Sequence, residues 1–208
     1  MKKLAAVVFL SLFFIKMGYA VSLKPYVKSG TIDFSEKDHS EATGHKSMVG
    51  AGVELVFEGK IEKILGLEYW TMAEPEDDDS KIIHDGAFIF GRANCQLFEI
   101  SSIEIWPFAQ IDVQRWRRNS DSKKFGELYF SDIVFGINSK YKNIYFETKA
   151  NFPFWSDTDN GQKTSGKLGI GANAGLEWKK LVFELSYNQN KFEDFRMEQY
   201  FLSLGYRF

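Results

Sequence analysis

Any chemistry in this chain has to come from a short set of residues: three histidines, one cysteine and two carboxylate-rich stretches. A histidine beside a carboxylate can act as a general base, and His84-Asp85 puts the two side by side, while His39 and His45 fall together in one polar stretch. Ala73-Glu74-Pro75-Glu76-Asp77-Asp78-Asp79-Ser80 gathers five acids. Such oxygens can hold a divalent cation or bridge through one to a phosphate, but a charge run is ordinarily a solvated loop. Asp157-Thr158-Asp159-Asn160-Gly161 has part of a calcium-loop pattern. The pattern fails because position 162 is Gln and position 168 is not Glu. A single cysteine, Cys95, rules out a disulfide framework and a cysteine-based zinc site. The expectation is therefore a non-enzyme with no metal and no cofactor.

The remaining charged motif is basic. Arg115-Trp116-Arg117-Arg118, followed by Lys123 and Lys124, suits phosphates of a lipid headgroup layer with Trp116 at the interface. Nucleic acid is not expected, since the 208 residues carry a formal charge of -2. With 44% hydrophobic and 26% charged residues the chain is too balanced to be disordered. Its 20 Phe, 9 Tyr and 5 Trp are an excess that composition alone leaves unexplained.

The elements that must position these residues begin after an address. Met1-Lys2-Lys3, an apolar run from Leu4 to Ile15 and Gly18-Tyr19-Ala20 read as a signal peptide over 1–20, cleaved after Ala20. The apolar run is too short to span a bilayer, which takes about 20 apolar residues. Removing it takes away Lys2, Lys3 and Lys16 and no acid, so the charge moves from -2 to -5. The single domain expected is then 21–208.

Within it period two dominates. Val49, Ala51, Val53, Leu55 and Phe57 alternate with Gly50, Gly52 and Glu54, and Leu168, Ile170, Ala172, Ala174, Leu176 and Trp178 alternate with small or polar partners. On a pleated strand that gives one apolar and one polar face. Ten strands are expected, near 22–34, 47–58, 62–73, 82–97, 103–117, 127–139, 143–155, 166–178, 181–190 and 198–208. Tight connections at 59–61, 98–102, 140–142 and 179–180 alternate with longer polar ones at 35–46, 74–81, 118–126, 156–165 and 191–197. Short turns on one side and long loops on the other are the pattern of an outer-membrane barrel. The last strand, Tyr200 to Phe208, carries Tyr200, Leu202, Leu204, Tyr206 and Phe208 on one face.

Signal peptide, amphipathic strands and a terminal Tyr206-x-Phe208 together resemble the small outer-membrane β-barrels of the OmpA/OmpX-like family. The resemblance implies an antiparallel transmembrane barrel in a Gram-negative-type outer membrane, of about ten strands, with eight, the family's commonest count, also open. It implies contact with outer-membrane lipids and lipopolysaccharide. It further implies that Tyr206 and Phe208 are read by the barrel-assembly machinery after passage by periplasmic chaperones. The His-x-Ser-Asn pattern of lipid-deacylating barrels is missing: no His precedes Ser186-Tyr187-Asn188. The chain is also much shorter than the ten-strand outer-membrane proteases. A soluble β-sandwich or lipocalin-like barrel is the competing reading.

If the apolar faces meet lipid, Glu54, Glu68, Arg92, Glu104, Asp112, Asp132, Glu147, Lys149, Glu177, Glu184 and Arg207 face the lumen. Unpaired charges in a narrow lumen are costly, so a paired network is expected. A ten-strand lumen lies near the size that side chains fill, which favours a polar plug over a cation-favouring pore. Gly50, Gly52, Gly169, Gly171 and Gly175 would leave room for water or let strands curve. The aromatics are expected in two belts. Tyr69, Trp70, Trp116, Tyr129, Phe154, Trp155 and Tyr187 would form the outer belt, and Phe57, Phe98, Trp178, Tyr206 and Phe208 the inner.

Overall fold

A computed structural model describes residues 20–36, 39–72, 83–118, 127–158, 164–193 and 195–208. The elements are β1 (Ala20–Glu36), β2 (His39–Glu58), β3 (Ile61–Met72), β4 (Ile83–Cys95), β5 (Phe98–Ile100) and β6 (Ile103–Arg118). They continue as β7 (Glu127–Tyr141), β8 (Ile144–Thr158), β9 (Gly166–Lys167), β10 (Gly169–Trp178), β11 (Leu181–Phe192) and β12 (Phe195–Tyr206). Ten of these are long and each pairs antiparallel with two neighbours. The ring closes where the chain ends meet, with Tyr26 opposite Gly205 and Asp33 opposite Glu198. Closure leaves no free sheet edge, which is what permits strands to cross a bilayer at all. The count is ten, not eight.

Three expected connections turn out to be strand. Residues 35–36 and 39–46 continue β1 and β2, with Phe34 opposite Gly44 and a bulge beyond it. Most of 191–197 likewise pairs, Lys191 lying opposite Arg196. Phe98–Ile100 forms β5 against Ile103–Ile105, so the turn there is only Ser101-Ser102. Both serines have positive φ, 49° and 69°, the backbone twist that suits a two-residue hairpin. Polarity suggested loops at the first two sites, but the neighbouring strand supplies the hydrogen bonds that hold polar residues extended.

The expected strand 166–178 is broken at Leu168. Lys167 pairs with Lys191 whereas Gly171 pairs with Asn188, a slip of one residue. Gly169 makes the slip possible, since a Cβ there would sit 2.1 Å from the Gln189 carbonyl oxygen.

The outward face is apolar over a continuous band, as in Val27, Leu67, Ile111, Phe135, Phe146 and Ile170, with Leu185 and Leu202 61% and 60% exposed. Such an area in water would aggregate; around a closed barrel it is the lipid-facing surface. The protein is an outer-membrane β-barrel. Tyr69 and Tyr200 face outward toward the loop end of the band, and Trp178, Tyr206 and Phe208 at the turn end. Cys95 lies on this exposed face near the turn end. Beyond the band at the loop end the outward residues become polar, such as Ser29, Asp85, Arg117 and Arg196.

The aromatic excess is divided between the two faces. Trp70 and Trp116 point inward and are buried, so they are absent from the belt expected of them, whereas Phe57 keeps the outward parity of Val21 opposite it although little of it is exposed. Inside, aromatic rings cover glycines on the facing strand. The directly opposed pairs include Tyr26–Gly52, Trp70–Gly50, Phe90–Gly66, Trp116–Gly86, Phe108–Gly136 and Tyr145–Gly175. A Cβ on Gly66 would lie 2.1 Å from the Phe90 ring, and one on Gly175 2.1 Å from the Tyr145 ring. The inward glycines therefore do not hold open space for water. Gly50, Gly52 and Gly175 are seats for rings, Gly171 for the Lys149 stem, and Gly169 lies against the Gln189 backbone. Burying large rings against bare backbone fills a narrow barrel without forcing strands apart.

Candidate functional site

The barrel interior has two layers. Toward the loop end Ile32, Phe34, Met48, Trp70, Trp116, Leu128, Phe130, Phe192, Phe195, Met197 and Phe201 pack into one apolar cluster. Phe192 stacks on Phe195 at 4.3 Å between ring centroids, and Phe130 meets Phe192 edge-on at 5.1 Å. This layer occupies the loop-end part of the lumen.

Beneath it lies a polar cavity of about 250 Å³. A space of that size has room for several waters. Eight acids and six bases line it, and Asp132 adds a ninth buried acid beside it, so its charge balance is negative.

Period-two alternation on every strand brings these groups to one interior. Lys24 is 2.7 Å from Glu54. Glu68 accepts from the Tyr26 hydroxyl at 2.5 Å and from Lys28 at 2.7 Å. Arg92 reaches Glu147 at 2.6 Å and lies 3.6 Å from the centroid of the Phe108 ring. Asn173 donates to the other oxygen of Glu147 at 3.1 Å. Tyr145 donates to Glu184 at 2.6 Å. Lys140 and Arg207 each come within 3.3 Å of Glu177, and the Trp106 indole donates to Glu104 at 2.9 Å.

Sequence reasoning missed Lys24, Lys28, Lys140, Glu62, Tyr26 and Tyr145, all interior. The signal was present, since Lys24, Tyr26 and Lys28 alternate with Leu23 and Val27.

Three of the expected interior charges are arranged differently. Asp112 and Asp132 lie directly opposite each other on β6 and β7, 3% and 1% exposed. Gln110 donates to one Asp112 oxygen at 3.3 Å. The other Asp112 oxygen and both Asp132 oxygens have no hydrogen-bond partner among the described residues. Lys149 acts on Asp112, Asp132 and Glu184 through its charge, with no direct ion pair among the described residues.

At the loop-end rim Arg115 pairs with Glu127, which also accepts from the Tyr129 hydroxyl, and Arg117 pairs with Asp85. The Arg115 guanidinium, then the Tyr129 hydroxyl, hold the Glu127 carboxyl below the usual carboxylate range. Trp116 does not share this rim. It is 2% exposed, covers Gly86 and donates to Gln114 at 3.1 Å. The reason is parity: on a pleated strand residues 115 and 117 share a face that 116 cannot. The side chains of Arg118, His39, His45 and His84, the acidic stretch 73–82 and residues 159–163 lie outside the described residues, as does the expected signal peptide up to residue 19. Among the described residues no three His, Cys, Asp or Glu groups gather as a metal cluster.

Tyr206 and Phe208 meet edge-on at 4.9 Å on the exposed face. The Phe208 amide donates to the Leu23 carbonyl at 3.0 Å, which ties the C-terminal end to β1.

No family model matches the chain, and comparison with curated proteins gives no match. Similar solved structures are barrels. The outer-membrane protease OmpT of Escherichia coli is 8% identical at TM-score 0.48, covering 93% of this chain and 99% of that one. Neisserial surface protein A is 7% identical at 0.40, covering 91% and 99%. The attachment invasion locus protein Ail of Yersinia pestis, solved with the heparin analogue sucrose octasulfate, is 15% identical at 0.35, covering 90% and 99%. At these values no residue's role transfers. The barrel assignment rests on the strand pairing and the exposed apolar band.

Proposed function

We propose that this outer-membrane barrel is a closed structural and interaction protein, serving envelope integrity and surface contact through its loop end, and is not an enzyme. The observation that carries the reading is the apolar layer from Phe34 to Phe201, which lies across the lumen above the 250 Å³ cavity. A continuous aqueous path would have to cross tightly packed aromatic rings. Contact with lipid follows from the exposed band. Lipopolysaccharide phosphates are the partner expected at Arg115 and Arg117, whose charges stand on the rim and are shared with Glu127 and Asp85. Tyr206 and Phe208 serve as the signal for the assembly machinery, with chaperones acting before it.

Planar-bilayer conductance on the refolded protein tests the reading. The expected result is no stepwise openings, and regular openings would overturn it. The second reading, a narrow cation-favouring channel, draws on the excess of acids lining the cavity. It requires openings that lose cation preference when Glu54 or Glu147 is neutralised.

A further inference from the structure

The lumen wall holds one cluster that the ion-pair network does not use. Asp112 and Asp132 are opposed across β6 and β7, with three of their four carboxylate oxygens unpartnered among the described residues. Like charges directly opposite on one face are destabilising, and a buried charge without a partner costs several kcal/mol. On the next strand Asn151, opposite Val134 and so diagonal to Asp132, is 2% exposed. Its amide nitrogen donates to Asn188 at 2.6 Å, while its Oδ1 has no partner. Three consecutive strands thus present four orphan oxygens to one patch of the interior. All four are oxygens, and oxygen alone is what hard cations select.

We propose that Asp112, Asp132 and Asn151 form an oxygen-donor site for a hard divalent cation in the lumen wall. Four protein oxygens leave positions for water in a calcium-type shell of six to eight, and Asp112 and Asn151 both line the cavity that would supply it. The flexible shell of calcium suits donors placed by three independent strands better than the strict octahedron of magnesium. Lys149 opposes the cation, because its charge acts on both carboxylates. It therefore weakens the site without occupying it.

The test uses the full refolded barrel in lipopolysaccharide-free detergent, stripped with chelator. Calcium should raise the thermal midpoint of unfolding. At a hundred times its Kd the folding equilibrium should gain about a hundredfold. Terbium should show tryptophan-sensitised luminescence that calcium displaces. Asp132→Asn should unfold at a higher midpoint than the wild type without calcium, since the repulsion is gone, and should lose both the calcium increment and the luminescence. Should that variant fail to refold, Asp112→Asn carries the same expectation. Lys149→Met should strengthen calcium binding. A wild-type midpoint indifferent to calcium would overturn the proposal, as would an increment that survives in both variants. So would stabilisation at pH 5 equal to that of saturating calcium, because a shared proton would then fill the pair.

Discussion

The two layers of the barrel interior are built by opposite means. The loop-end layer excludes water with Phe130, Phe192, Phe195 and their neighbours, and its energy is burial and ring contact. The turn-end layer keeps a polar cavity and holds it with charge pairs such as Arg92–Glu147. A pair of that kind is weak evidence for net stability, since desolvation offsets attraction. What it fixes is which groups meet, and so the shape of the cavity.

The largest effect should come from emptying the apolar layer. Phe130→Ala with Phe192→Ala is expected to cost about 3–5 kcal/mol for each ring and to let ions pass, read by a lowered unfolding midpoint and by bilayer conductance. Loss of stability without conductance would mean that the polar layer also blocks. Next is Arg92→Ala, which leaves Glu147 buried with Asn173 as its remaining hydrogen-bond donor among the described residues. A cost of about 3–5 kcal/mol is expected, and Arg92→Met with Glu147→Leu should recover most of it. If the single change is silent, the turn-end layer is far wetter than its burial implies.

Gly66→Ala should follow, at about 1–3 kcal/mol, because the new Cβ meets the Phe90 ring. Phe90→Leu in the same chain should relieve part of that cost, and simple additivity of the two would break the ring-seat account.

The smallest effect lies outside both layers, at the rim. Glu127 is held below its usual carboxylate range by Arg115 and Tyr129. Its contribution is therefore present above the unfolded carboxyl value, about 4.3, and fades as pH falls through the lower folded value. Glu127→Gln should flatten stability against pH in that acid window alone. Exposed pairs contribute little, so a change at neutral pH larger than at the Arg92–Glu147 pair would reverse the ranking of buried over exposed charge.

Much of this was legible along the chain. Alternation placed Glu54 and Glu147 inside and Leu202 and Tyr206 outside, because the side-chain period of a strand is two wherever its neighbours lie. The same rule, applied to Arg115-Trp116-Arg117, separates Trp116 from the arginines; reading the four residues as one basic patch obscured it. Loop polarity was a poorer guide. Residues 35–36 and 39–46 look like loop but are strand, since hydrogen bonds to a facing strand are invisible in local composition. The glycine seats were hidden for the same reason, because Gly66 and Phe90 are distant in sequence and meet only through register.

The sequence by itself determined the strand character, the two faces of each strand and the membrane as solvent for one of them, for these depend only on local periodicity and hydropathy. Tertiary structure decided what the interior is. Only closure into ten strands sets the radius at which rings from facing strands meet. Only register decides that Asp112 faces Asp132 while Arg92 reaches Glu147. Which charges pair, and which are left for a cation, is a property of strand neighbours, and neighbours in a sheet are not neighbours in the chain.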